Sequence, residues 1–205
     1  MKKILYSLLA LFGGLVLSSG SCNSDPFNPS IYDEGEVING VRWATRNVDT
    51  PGKFAESSSK AGMLYQWGRN KEWPFTDPLS DTWPTAPAGG TIWAEGSNPC
   101  PKDWRLPTKA EIESLLDKTV PQFWSLVGAD KGVYLGTFPH RIFLPIISIR
   151  FEDGTISLNY SGGFWSSTPI NSTEAWAFDF NIDENISANS VYEKCSGLSV
   201  RCVKK

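Results

Sequence analysis

Asn98-Pro-Cys-Pro-Lys-Asp-Trp-Arg-Leu-Pro-Thr-Lys-Ala-Glu-Ile-Glu-Ser-Leu-Leu116 places a cysteine, a large aromatic residue and a helix start within nineteen residues. Pro99 and Pro101 hold the chain extended around Cys100, because proline fixes φ and turns the preceding residue away from the α region. Trp104 and Leu106 offer apolar surface as the chain turns. Thr108 and Glu111 have the spacing of a capping box, in which each side chain bonds a backbone amide of the other. Ile112, Leu115 and Leu116 follow at three- and four-residue steps and make one apolar helix face, with Glu113, Asp117 and Lys118 toward the other. These signals are structural, and none of them is chemistry.

Upstream, Glu36-Val-Ile-Asn-Gly-Val-Arg-Trp-Ala-Thr-Arg-Asn-Val48 reads as a hairpin turning at Asn39-Gly40, the preferred type I′ pair. Gly62-Met-Leu-Tyr-Gln-Trp-Gly68 reads as a short strand buried on both faces. From Arg69 to Ser97 there is little periodicity, with prolines at 74, 78, 84 and 87 and tryptophans at 73, 83 and 93. A loop of that length inside a domain is either functional or a flap whose tryptophans pack down on the core. Downstream, Pro121 to Leu126 is expected to start a second short helix with Pro121 in its first turn. Ile142 to Ile149 reads as a strand, and Asp153-Gly154 as a turn. Gly163–Ser167, Ala175–Phe180 and Leu198–Val203 are further short strands, so the second half is expected to be mostly antiparallel sheet.

A chain of 205 residues has room for one substantial domain. Its net charge of −3 argues against nucleic-acid and anionic-membrane partners. Nine tryptophans and eleven phenylalanines point instead to an aromatic core, an aromatic binding face, or both. The N-terminus has the form of an export signal. Lys2 and Lys3 precede an apolar run from Ile4 to Leu17 that is too short to span a bilayer comfortably. Ser19-Gly20-Ser21 then stands directly before Cys22, as in a bacterial lipoprotein signal; ordinary secretion is the plainer alternative. The expected organisation is therefore a signal peptide at 1–21, a lipidated Cys22 opening a polar tether over 22–36, and one domain over 37–205. Loss of Lys2 and Lys3 takes the charge from −3 to −5. The expected location is the outer membrane, lipid-anchored and facing outward.

Cys100-Pro-Lys-Asp-Trp-Arg-Leu-Pro-Thr108, Phe143-Leu-Pro145, Asp153-Gly154, Phe164-Trp-Ser-Ser-Thr168 and Ser199-Val-Arg-Cys-Val203 occur in the order found in the Fibrobacter succinogenes major paralogous domain. Arg42 to Val48 and Gly62 to Trp67 are similar to that family's opening strands, so the resemblance runs from about residue 37 to 204. Asp103 stands where the family usually has glycine. The resemblance implies an α+β, C-type-lectin-like fold with two helices, an antiparallel sheet and long loops. It also implies a surface lipoprotein or fimbrial tip module of gut bacteria. The Glu-Pro-Asn, Gln-Pro-Asp and Trp-Asn-Asp strings of the calcium-dependent sugar lectins of that fold are absent; Asp179, Asp183 and Glu184 read as a solvated loop. By family position Cys100 pairs with Cys202, a cross-link worth about 2–4 kcal/mol. The rival pairing is Cys195 with Cys202, loosely like the copper-binding cysteines of formylglycine-generating enzymes, which share a similar Arg-Leu-Pro-Thr helix start.

Catalytic motifs do not emerge. His140 is the sole histidine, in a turn-like stretch, and no nucleophile elbow, His-x-x-His pair or phosphate loop accompanies it. No cofactor or metal is called for. The reading is a non-catalytic binding domain for an extracellular glycan or protein. A subunit of a fimbria-like assembly is the first alternative, and a formylglycine-generating-type enzyme the second. Within the domain, Trp73, Trp83 and Trp93, with Asp77 and Asp81 between them, are the expected ligand-binding residues, since sugars stack on flat aromatic faces beside polar groups.

Overall fold

The computed structural model describes residues 28–157 and 161–205. Cys22 and the first part of the tether lie outside the described residues. In chain order the strands are β1 (Glu36–Ile38), β2 (Val41–Asn47), β3 (Leu64–Gln66), β4 (Glu72–Trp73) and β5 (Trp104–Arg105). After helix α1 (Lys109–Leu115) come β6 (Gln122–Val127), β7 (Asp130–Thr137), β8 (His140–Pro145), β9 (Ser161–Pro169), β10 (Glu174–Asn181), β11 (Ile186–Glu193), β12 (Gly197–Leu198) and β13 (Arg201–Lys204). They form four small sheets, ordered β1-β2-β13-β5, β12-β3-β4, β6-β7-β8 and β11-β10-β9, with every strand pairing antiparallel.

This corrects the expected α+β, two-helix, C-type-lectin-like architecture. Among the described residues there is one α-helix, and the domain is mostly β. The segment expected to be a second helix is strand β6, paired residue for residue with β7 from Gln122↔Leu135 to Val127↔Asp130. Hairpin pairing with the next strand, across a two-residue turn at Gly128 and Ala129, has overridden a local helix-start signal, because Phe123, Trp124, Leu126 and Val127 suit a pleated, half-buried surface. The first helix does form where the capping box places it. Thr108 Oγ1 accepts from the Glu111 amide at 3.3 Å, and Glu111 Oε2 accepts from the Thr108 amide at 2.7 Å.

The hairpin at Asn39-Gly40 also forms, with both turn residues at positive φ (48° and 80°) and Ile38 opposite Val41. β2 is then central, flanked by β1 and by the last strand, β13. Two apolar clusters make the core, and several strands run between them. Phe164 of β9 joins Ile112, Leu115 and Phe178 in one cluster, while its neighbour Trp165 joins Tyr65, Trp67 and Trp104 in the other. Successive side chains of a strand point to opposite faces, so a strand covered on both sides reads as a continuous apolar run.

Small sheets leave many carbonyls to be bonded, in loops and within strands, and buried ones need donors. Three buried cations supply them. Arg201 donates to Asn47 Oδ1, the Ala44 carbonyl and the Phe143 carbonyl; burial pushes its guanidinium down to about 9, against the pull of Asp33. Lys194 donates to the carbonyls of Gly90, Asn171 and Ser172 and lies 4.2 Å from the Trp67 ring centroid. Arg150 donates to the carbonyls of Pro74, Thr76 and Gly154 and to Asp77 Oδ1.

Candidate functional site

The long loop between β4 and β5 divides into two parts. Trp73 closes β4 and is 2% exposed, Trp83 is 8% exposed, and the two rings meet edge-on at 4.9 Å. Trp83 Nε1 donates to the Glu152 carbonyl, and Arg150 lies over its ring at 5.6 Å. Neither ring is open to a ligand, which corrects the expectation for these two tryptophans: their large apolar faces are buried against the core. Asp77 is committed to Arg150 at 2.9 Å, and Asp81 to Lys71 at 2.6 Å on the surface. The five residues expected to share a site are therefore not one constellation.

Trp93 is different. It is half-buried, stacked at a tilt on Trp67 at 5.3 Å, with Nε1 donating to the Ser97 carbonyl at 2.8 Å. It lines a cleft of about 270 Å³ with Glu95, Asn98, Arg105, Leu106, Ser167 and Lys205. The chain builds this cleft from three distant segments. Asn98 is fixed as its side chain accepts from the Cys100 amide and donates to the Trp104 carbonyl. The Cys100–Cys202 disulfide ties that segment to β13 and so brings the C-terminal Lys205 alongside, where it pairs with Glu95 at 2.7 Å. Arg105 forms a two-pronged pair with Glu111, at 2.6 and 2.8 Å. Burial pushes the Glu111 carboxyl up, but hydrogen bonds from Arg105 and Thr108 outweigh it and hold the group below the ordinary range. Ser167 is held by its hydroxyl on the Pro107 carbonyl.

Asn98, Arg105, Ser167 and Lys205 were not singled out as site residues from sequence. Two of them lie in the very stretch that starts the helix, so the signal was present but read as structural. The cleft offers an indole, a guanidinium, an ammonium, a carboxylate, an amide and a hydroxyl, a set suited to hydroxyl-rich ligands. At this size it takes one sugar ring or one side chain, since pockets for larger ligands start near about 300 Å³.

The remaining candidates separate cleanly. Cys202 is oxidised with Cys100, so Cys195 is the free, buried cysteine and the rival pairing does not form. Burial raises the Cys195 thiol above its usual range, away from a reactive thiolate. His140 is exposed and meets Glu36 at 3.0 Å. Asp179 accepts from the Tyr192 hydroxyl at 2.7 Å, while Asp183 and Glu184 lie in a turn held by Asn181. Among the described residues no group of three or more His, Cys, Asp or Glu side chains is placed to hold a metal ion.

With this geometry established, comparison with protein-family models assigns residues 40–204 to the Lcl C-terminal domain. The chain belongs to that family. No curated protein and no solved structure matches it.

Proposed function

We propose that the domain is a non-catalytic binding module, held outside the cell by a lipid on Cys22, that takes an extracellular glycan at the Trp93 cleft. Membership of the Lcl C-terminal domain family supports a surface-associated domain without catalysis. The five ordered motifs support a narrower placement in the Fibrobacter succinogenes major paralogous family. The observation that carries the ligand class is Trp93, the one loop tryptophan left half-open, beside Asn98, Arg105 and Lys205. An indole face takes sugar C–H groups while amide, guanidinium and ammonium donors take hydroxyls. Lipid attachment at Cys22 follows from the small residues before it and the polar chain after it, and stable anchoring needs two or more acyl chains.

A printed glycan array probed with the full chain tests the reading. Binding to one glycan class, weakened about thirtyfold by Trp93→Ala, is the expected result, since aromatic anchors commonly carry about 2 kcal/mol. No glycan bound, or Trp93→Ala binding as wild type, would overturn it. The anchor is checked separately: Cys22→Ala should move the protein from the detergent phase to the aqueous phase.

A further inference from the structure

The stretch from Asn28 to Ile38 lies along β2. Arg46 donates to the carbonyls of Pro29 and Tyr32, and Arg42 to those of Glu34 and Gly35. β1 then pairs with β2 from Glu36↔Trp43 to Ile38↔Val41. Along this edge Ile31, Tyr32 and Val37 stay exposed.

Val37 carries the apolar surface on to the turn between β7 and β8. It lines a cleft with Val120, Pro121 and Phe138, and Phe138 is 75% exposed. On its other side Val37 shares a cleft with Glu34, Glu36, Arg42 and His140, and the Tyr32 hydroxyl reaches Glu34 Oε1 at 3.4 Å. Arg141 lies over the Phe138 ring at 5.3 Å and the Tyr134 ring at 3.9 Å. Phe123, exposed, stands opposite Tyr134. Tyr32, Val37, Phe138, Tyr134 and Phe123 thus follow one another across the surface. The charges among them balance, Glu34 and Glu36 against Arg42 and Arg141, with His140 on Glu36.

We propose that this strip rests on the bilayer that carries the anchor, an inference that depends on lipid attachment at Cys22. The length of the connecting chain names the occupant. Six peptide steps link Cys22 to Asn28, and fully extended they span about 20 Å. The edge that begins at Asn28 therefore lies within that distance of the lipid headgroups. Tethering at such range makes contact with the bilayer intramolecular, so a surface too weak to bind lipid from solution is still occupied. Rings with one apolar and one polar end suit the headgroup level, and Arg141 keeps its guanidinium among headgroups while its stem lies along the two rings. Because the charges of the strip cancel while the chain as a whole is negative, zwitterionic lipid suits it and anionic lipid repels it. None of these residues lines the Trp93 cleft.

Hydrogen exchange of the full lipidated chain in phosphatidylcholine nanodiscs, against the Cys22→Ala chain in solution, tests the contact. Amides of residues 31–37 and 137–141 should exchange roughly threefold or more slowly in the nanodiscs, with β10 unchanged. Val37→Ser with Phe138→Ser, both at exposed positions, should abolish the slowing while leaving β2 as protected as in wild type. Equal exchange in both states, slowing that survives the double variant, or slowing seen only with phosphatidylglycerol would each overturn the proposal. So would the same slowing without lipid as protein concentration rises, which would make a second copy the occupant. Detergent partitioning reports the anchor by itself. A wild-type chain left in the aqueous phase would overturn the anchor and this proposal together, whereas an anchored chain without slowing overturns this proposal alone.

Discussion

The two halves of the loop between β4 and β5 have the same kinds of residues and opposite fates. The first half, through Trp83, is driven into the core and clamped: Arg150 alone bonds the carbonyls of Pro74 and Thr76 and the carboxylate of Asp77, and Gln66 bonds the carbonyl of Pro84 at 2.6 Å. The second half, through Trp93, is held at its margins by Arg69 on the Ala86 carbonyl, Lys194 on the Gly90 carbonyl and the ring contact with Trp67. Ile92 beside it stands 73% exposed. Tryptophan content therefore does not mark a binding face. Buried donors reach both halves, Arg150 the first and Lys194 the second; what separates them is that Trp73 and Trp83 pack on each other within a core cluster while Trp93 rests on the margin of the other cluster, against Trp67.

The sharpest way to break this comparison is Trp83→Ala. It should cost about 3–5 kcal/mol in chemical denaturation, as for a large aromatic removed from a core, and a loss under about 1 kcal/mol would show that the first half is no more built-in than the second. Arg150→Met tests the clamp itself. It leaves three carbonyls and Asp77 without their donor and should cost about 3 kcal/mol, with accelerated proteolysis between residues 74 and 83.

A third test sharpens the outer half, because Glu111 holds the Arg105 that lines the Trp93 cleft. Its folded carboxyl lies below the ordinary value of 4.5. The stability it contributes is therefore fully present above about that pH and is lost as pH falls through the folded value. Glu111→Gln should cost about 1 kcal/mol at neutral pH, the scale of a lost capping interaction, with solvent screening of this partly exposed pair keeping the figure small. The variant's stability should also fall less steeply below pH 4.5 than the wild type's, and parallel acid titrations of both would sink the assignment. Smallest is Trp93→Ala, expected to change stability by about 1 kcal/mol or less. A loss as large as that of Trp83→Ala would make the whole loop scaffold and remove the support for the cleft.

Much of the local structure could be read from residues in a row. The Asn39-Gly40 turn, the Thr108–Glu111 box and the doubly buried strand at Leu64–Gln66 all depend on neighbours within a few positions. Asp103 is a related case: it sits at a φ of 66°, the left-handed region glycine favours, where aspartate is among the better tolerated side chains. β7 and β11 were not anticipated. β7 includes Gly132 and Gly136, and β11 alternates small polar residues, so neither shows the apolar run that flags a strand; each is specified by the partner it pairs with. The cleft was harder still, because Asn98, Ser167 and Lys205 are polar residues of ordinary kinds whose meeting depends on the disulfide and on β13.

By itself the sequence determined where the chain turns, where the helix begins and which stretches are apolar enough to enter a core, because those are short-range matters of φ preference, capping and periodicity. The Cys100–Cys202 pairing came from family position rather than from spacing. Tertiary structure alone decided that Pro121–Leu126 becomes a strand, that Trp73 and Trp83 are buried while Trp93 is left half-open, and that Arg150, Lys194 and Arg201 serve as internal donors. The strand pairs with its neighbour across a turn at Gly128 and Ala129 and packs Trp124 on the distant Phe180, while the tryptophan and donor contacts reach across tens of residues; in each case the free energy depends on what the fold brings opposite, which a short window of sequence does not contain.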